Sequence, residues 1–343
     1  MSNKAADAIL SGNRLALARL LSQIENADPA CREIQDVLFQ HSGKAYLIGI
    51  SGAPGTGKST LVNQLIQSFR KPSDNRQPYR VAVVAVDASS PFSGGAVLGD
   101  RIRMRSSAGD PGVFIRSMSA RGALGGLART THEMVDVLDA AGYEIILIET
   151  VGVGQSEVDI AALAHTTIIV ESPGKGDDVQ AIKAGIFEIA DIFVINKADR
   201  PGVNSTETAL RSMLDLSYAL KADTAGYAGR GHQIADNEKL DGVTAEESKE
   251  GWTPPVLKTI ATENQGTEAV IQAVYEHQQH LNESGDKAKR EITRLKHELD
   301  ASIMSTLYQN WQSRMDKDAY HRALDEVVLR NKSPHQAALE LLA

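Results

Sequence analysis

With 343 residues, 42% of them apolar and 23% charged, the chain has material for one sizeable core with appended elements, and its composition excludes a mainly disordered protein. A formal net charge of −8, from 36 basic and 44 acidic residues, argues against broad nucleic-acid binding, so no nucleic-acid partner is expected. Cys31 is the single cysteine, which forbids an intrachain disulfide; no run of about 18 apolar residues offers a membrane span, and the start lacks the basic-then-apolar plan of a signal peptide, so a cytoplasmic protein without a membrane partner is expected.

Residues 3–41 place Leu10, Leu17, Leu20, Leu21, Ile24, Ile34, Val37 and Leu38 at helical spacing, with Pro29 between the groups, which predicts a small helical cap over 1–43. From Ala45 the pattern changes to short apolar runs: Tyr46–Ile50, Val81–Val86, Ile145–Ile148, Thr167–Val170, Ile192–Ile195 and Pro255–Ile260. Runs apolar on both faces suit strands covered by helices on each side, hence a mostly parallel sheet. Helical stretches fit between them at Ser59–Phe69, Ala123–Ala140 and Asp178–Ile189, and the alternation predicts an α/β, doubly wound domain over 44–283. Residues 221–251 are polar and Gly-rich and read as a surface insertion. After Ser284, Ile292, Leu295, Leu299, Ile303 and Leu307 stand three or four apart among charges, which predicts a long amphipathic helix in a C-terminal arm over 284–343. Spacing alone leaves two uses open for that helix, packing on its own domain or joining a second copy.

Gly52-Ala-Pro-Gly-Thr-Gly-Lys-Ser59 matches G-x-x-x-x-G-K-S/T between a predicted strand and a predicted helix, the context in which that string forms a phosphate loop. Its glycines let the backbone over Gly52, Ala53, Pro54, Gly55, Thr56 and Gly57 fold round the phosphates, so that its N–H groups, which Pro54 alone lacks, and a helix N-terminus face the phosphate oxygens. Lys58 is expected to bridge the β- and γ-phosphates, and the Ser59 hydroxyl to ligate Mg²⁺.

Ile192–Ile195 runs into Asn196-Lys-Ala-Asp199, an N-K-x-D string. Asp199 can accept hydrogen bonds from guanine N1–H and the exocyclic amino group, which adenine does not offer, so ATP would leave a carboxylate unpaired. Lys197 would lay its stem over the base, and Asn196 would tie this loop to the phosphate loop. Asp87, Asp100 and Glu149 lie near the ends of strands or just beyond them, where oxygen ligands for Mg²⁺ are needed. Glu149-Thr-Val-Gly152 occupies the place of a D-x-x-G element, so the Gly152 N–H would sense the γ-phosphate and Val151–Ser156 would be ordered by it. Val153 stands where Ras-like proteins carry a water-orienting glutamine, so slow hydrolysis is expected unless a partner or Gln155 assists. Arg101, Arg103, Arg105, Arg116 and Arg121 crowd one stretch and read as a solvated helix face. Trp252 reads as a packing anchor.

Together these residues resemble the MeaB/ArgK family of P-loop GTPases over roughly 45–266. The strings that carry the resemblance are Gly52–Thr60, Val86-Asp-Ala-Ser-Ser-Pro91, Gly94-Gly95 followed by Leu98-Gly-Asp-Arg101, Glu149-Thr-Val-Gly-Val-Gly-Gln-Ser156, Gly176-Asp-Asp-Val-Gln180 with Lys183, and Asn196–Asp199. The resemblance implies a GTP/GDP-binding, Mg²⁺-dependent GTPase that serves an adenosylcobalamin-dependent acyl-CoA mutase, chiefly methylmalonyl-CoA mutase, as a homodimer with helical extensions at both ends. It extends the nucleotide contacts to Thr60, gives Lys183 a catalytic place in a mobile segment over Gly174–Lys183, and puts a late guanine contact on Ile260-Ala261-Thr262, where Ile260 replaces the family's serine. No D-x-H-x-x-G string is present, so cobalamin would belong to the partner. A small-molecule kinase linked to amino-acid transport is the alternative activity, and a nickel metallochaperone a third.

Overall fold

The computed structural model describes residues 2–72, 76–87, 107, 109–119, 126–150, 156–174, 189–227 and 251–342. Seven strands form one sheet: β1 (Tyr46–Ser51), β2 (Val81–Asp87), β3 (Val113–Ser119), β4 (Ile145–Glu149), β5 (Thr166–Glu171), β6 (Ile192–Asn196) and β7 (Val256–Thr259). Their order is β3-β2-β4-β1-β5-β6-β7, and every pairing is parallel. The chain builds one side of β1 with β2 to β4 and then crosses to the other with β5 to β7. That places the point where winding reverses at the carboxyl end of β1, where ligands of such sheets bind.

Six of these strands lie on apolar runs; β3 is an addition. Its sequence, VFIRSMS, is broken by Arg116 and two serines because it is an edge strand under the N-terminal helices. Arg116 is not on a solvated helix face: it lies on β3, 16% exposed, and pairs with Glu25.

On one sheet face, α4 (Lys58–Arg70) and α8 (Thr267–Ser284) bury Leu61, Val62, Leu65, Phe69, Val270 and Val274 against Ile48, Ile50, Val83, Leu147 and Val170. The other face is covered by α5 (Gly126–Ala140) and α6 (Ser156–Leu163). Gly49 of β1 has no Cβ because one would stand 3.0 Å from Ile160 and 3.1 Å from Ala164 beside α6. Further along, α7 (Val203–Tyr227) lays Leu210 and Leu214 over Ile169, Phe193 and Ile195. This helix runs past 221, so the first residues of the expected insertion are helical; residues 228–250 lie outside the described residues.

Outside α5 sit α1 (Ser2–Leu10), α2 (Arg14–Glu25) and α3 (Arg32–Phe39), the expected helical cap. Leu17, Leu20, Leu21, Ile24 and Leu38 are buried with Met134 and Leu138. The Asn13 side chain caps α2 by accepting from the N–H groups of Leu15 and Ala16, and Arg14 donates to the Pro111 and Val113 carbonyls next to β3.

The C-terminal arm begins with α9 (Asp286–Arg314) and continues through α10 (Lys317–Val328) and α11 (Pro334–Leu342). Its first turns are bolted to the base of the sheet. Arg290 makes a bidentate pair with Asp191 at 2.8 Å, and the buried Arg294 reaches Asp136 of α5 at 3.1 Å and Glu291 at 2.7 Å. Burial would raise the Asp191 pKa, but the hydrogen bonds from Arg290 and the approach of the His277 ring to 3.2 Å outweigh it and hold the carboxyl low. Trp252 anchors the same corner, donating to the Asp191 carbonyl at 2.7 Å with its ring 4.8 Å from that of His277. Among the described residues no helix is long and apolar enough to cross a membrane.

Candidate functional site

The loop between β1 and α4 is shaped by backbone that a side chain would block. At Gly52, φ is 136°, and a Cβ would fall 2.1 Å from the Val170 carbonyl oxygen of β5. At Gly57, φ is 96°, and a Cβ would fall 2.3 Å from Asn196 Nδ2. Both positions are therefore restricted to glycine by conformation and by a neighbour at once. Thr56 folds the loop inward, its hydroxyl donating to the Ala53 carbonyl at 3.0 Å.

Lys58 opens α4 with its ammonium drawn back over the loop, donating to the carbonyls of Gly52 at 2.7 Å and Ala53 at 3.1 Å. It is only 6% exposed, so its charge is concentrated inside the loop. The next residue, Ser59, donates through Oγ to Glu149 Oε1 at 2.6 Å, and both side chains are buried. The register sets this contact: β1 and β4 are direct neighbours with Ile50 opposite Glu149, so the carboxylate at the end of β4 stands beside the start of α4. Thr150 then donates to Ser51 Oγ at 3.0 Å and through its N–H to the Ile50 carbonyl, tying the chain after β4 to the end of β1.

From the other side, β6 delivers Asn196. Its Nδ2 donates to the Thr56 carbonyl at 2.8 Å, while Oδ1 accepts from Thr259 Oγ1 at 3.1 Å and from the Ala261 N–H at 3.1 Å. Two donors on the oxygen and one acceptor at the nitrogen fix which way this buried amide points. Lys197, at φ 59°, reaches across to the Gly55 carbonyl. The Ala198 N–H donates to the Thr259 carbonyl, and Asp199 is exposed beyond it. Asn196 thus links the phosphate loop, the N-K-x-D loop and the turn after β7, as its expected tie to the phosphate loop requires.

Residues 52–60, Glu149, 196–199 and 260–262 therefore stand on or just beyond the carboxyl ends of the strands, on one side of the domain. Asp87 ends β2 one strand away, with Ala85 opposite Glu149, and only its backbone is described. Asp100, Gly152, Gln155 and Lys183 lie outside the described residues, as do Val151–Gln155 and most of Gly174–Lys183. One residue that the motifs do not single out joins the site: Gln64 of α4 donates through Nε2 to the Ala261 carbonyl at 2.9 Å. Nothing local marks it, because the partner is 197 residues away. The same holds for Thr259, whose part rests on its facing Asn196 across β6 and β7.

Residues 17–316 match the family model described as Methylmalonyl Co-A mutase-associated GTPase MeaB. A Pyrococcus abyssi protein that bears a GTPase name is 40% identical over 338 residues, covering 98% of this chain and 95% of that protein. GTPase ArgK of Escherichia coli is 30% identical over 97% of this chain and 92% of its own length. A Caenorhabditis briggsae protein named as a mitochondrial methylmalonic aciduria type A homolog is 31% identical, over 84% of this chain and 66% of that protein. Among solved structures, a LAO/AO transport system kinase superposes with a TM-score of 0.64, covering 99% of this chain and 96% of that one, at 23% identity, a likeness of fold.

Proposed function

The chain belongs to the family of the methylmalonyl-CoA mutase-associated GTPase MeaB and is a P-loop GTPase, and from that premise we propose that it works as a slow, partner-accelerated switch that gates cofactor loading and protection of an adenosylcobalamin-dependent acyl-CoA mutase of the methylmalonyl-CoA type. The observation that carries the nucleotide part is Asn196, which fastens the phosphate loop at Thr56 to the turn at Ala261. The partner part is supported by the family description and by the name of the Caenorhabditis briggsae relative.

In this reading main-chain N–H groups of 52–59 other than Pro54 hold the phosphates, Lys58 exchanges the Gly52 and Ala53 carbonyls for phosphate oxygens, and Asp199 selects guanine. Ser59 and Glu149 are the residues that would hold Mg²⁺. They fit it: a hydroxyl and a carboxylate, buried and 2.6 Å apart, are the oxygen donors a hard cation takes. When bound, the ion neutralises charge building up between the β- and γ-phosphates. The root of the segment after Thr150, held to Ser51, would pass the presence of the γ-phosphate to residues 151–156. The arm, with exposed Leu299, Ile303, Met304 and Leu307 on α9, would join a second copy into a homodimer.

The test is phosphate release and nucleotide affinity measured with and without a mutase encoded by the same genome. Acceleration or a shift in affinity is expected; neither quantity changing would overturn the partner assignment. A phosphorylated small molecule accumulating in step with GTP consumption would instead favour the kinase alternative.

A further inference from the structure

The turn after β7 carries Ala261, a residue 2% exposed whose two backbone polar groups each meet a side chain, the carbonyl being shared with the Asn264 N–H of the same turn. Its N–H donates to Asn196 Oδ1, and its carbonyl accepts from Gln64 Nε2. The two side chains come from different elements: Asn196 ends β6, while Gln64 sits on α4, the helix whose first turn supplies Lys58 and Ser59. The turn itself is stiff. Ile260 and Gln265 form an antiparallel bridge, and Gly266, at φ 77°, leaves no room for a Cβ, which would stand 2.1 Å from the Lys258 carbonyl oxygen. A stiff turn moves as a body, so its placement is set by its outside fastenings.

We propose that Gln64 is a positioning residue for guanine specificity, a strut that fixes the base-reading turn at Ala261 relative to the phosphate-binding end of α4. The proposal rests on reading this site as a GTP site. Without the strut the Ala261 carbonyl keeps only the Asn264 N–H from within the same turn, Asn196 is the one side chain left bonded to the Ala261 backbone, and the base-binding surface can tilt while the phosphate loop stays in place. Gln64 itself touches no nucleotide in this scheme; it acts through Ala261. The contribution expected of one half-buried hydrogen bond is a threefold to tenfold change in affinity, roughly.

The full-length chain with Gln64→Met tests this, since Met keeps the stem and removes the donor. Dissociation constants are measured with Mg²⁺ for GTP, GDP, ATP and tripolyphosphate, the last having phosphates and no base. The expected result is GTP and GDP weakened about threefold to tenfold, the GTP-to-ATP preference reduced by the same factor, and tripolyphosphate unchanged. A role confined to holding α4 would weaken all four ligands together, and that outcome, or an unchanged GTP-to-ATP ratio, overturns the proposal. Gln64→Lys restores a donor and should keep the wild-type ratio within about twofold; collapse of the ratio in this variant overturns it too, even if the Met variant folds poorly. Absence of guanine preference in the wild-type chain would be a different failure, that of the GTP site itself.

Discussion

Asn196 donates to the Thr56 carbonyl at 2.8 Å, so the strand that leads to the N-K-x-D loop is hydrogen-bonded directly to the phosphate loop. The same amide accepts from Thr259 and Ala261, and Asn196 is 2% exposed. Asn196→Ala removes three buried contacts worth about 1 kcal/mol each and leaves their partners unpaired. A loss of roughly 2–4 kcal/mol in unfolding free energy is expected by denaturant titration without nucleotide, with nucleotide affinity falling too. Asn196→Asp keeps the acceptor but turns a carboxylate oxygen on the Thr56 carbonyl, and should be no more stable than the alanine variant.

Lys58 should behave in the opposite way, large in binding and small in folding. In the described structure its ammonium donates to the loop carbonyls of Gly52 and Ala53. Lys58→Met retains the buried stem and removes a charge that has a triphosphate to meet. Calorimetry should show GTP affinity reduced by at least about 100-fold, with stability in the absence of nucleotide changed by less than about 2 kcal/mol. A variant that binds GTP as the wild type does would remove Lys58 from the site.

Asp199 is exposed at the edge of the site, so its removal has little to disturb in the fold. Asp199→Asn should leave unfolding within about 0.5 kcal/mol of wild type. It should weaken GTP by roughly 100-fold or more and admit xanthosine triphosphate, whose base offers an acceptor where guanine has a donor. Competition binding with the two triphosphates reads this directly; unchanged GTP affinity would rule out the contact.

Legibility followed local chemistry. The strands that position the site announce themselves because both faces are covered, as at Val81–Val86 and Ile192–Ile195, and the phosphate loop because its glycines are demanded by backbone shape. β3 was not legible: Arg116 interrupts its apolar run, and the reason for an arginine there, Glu25, lies 91 residues away. α7 is hard to see in sequence because within its described part only Thr206, Leu210 and Leu214 are buried, too narrow a stripe to stand out among its serines and threonines. Gln64 and Thr259 enter the site only through pairings that the folded topology creates.

The docking of α9 on α5 should depend on pH through Glu298. Its carboxyl is pushed up to about 7, first by burial and then by the Asp136 carboxylate; Glu133 of α5 adds to this, and Arg294 opposes it. Arg32 and Asp36 of α3 line the same groove. With the folded pKa above the unfolded value near 4.5, the native state holds the extra proton between those pH values, so this group makes stability fall as pH rises from about 4.5 to about 7. Glu291 runs the other way, held down at about 2 by His165 and Arg294, and its stabilisation is lost only in acid, as pH falls from about 4.5 toward about 2. Glu298→Gln should therefore gain stability relative to wild type at pH 8 but not at pH 5, by paired urea titrations. Equal differences at the two pH values would mean that Glu298 titrates normally.

The distal half of α9 exposes Leu299 at 61%, Ile303 at 48%, Met304 at 70% and Leu307 at 61%, a stripe at helical spacing beyond the buried Arg294 anchor. Leu324 and Val328 of α10 and Leu339 of α11 are exposed on the same arm. So much apolar surface on a helix whose root is rigidly fixed suits a partner with the same stripe, and two such arms packed together would bury both. Sedimentation of the wild-type chain at micromolar concentrations should give a dimer, and Ile303→Glu with Leu307→Glu should give a monomer that binds GTP with unchanged affinity, since the site lies at the carboxyl ends of the strands, with Glu149 and Asn196, while the arm is rooted at Asp191 just before β6. A wild-type monomer would remove the second copy as the occupant of this face. A double variant that stays dimeric would place the interface elsewhere on the chain, and one that loses GTP would show that arm and site are coupled through the Asp191–Arg290 root.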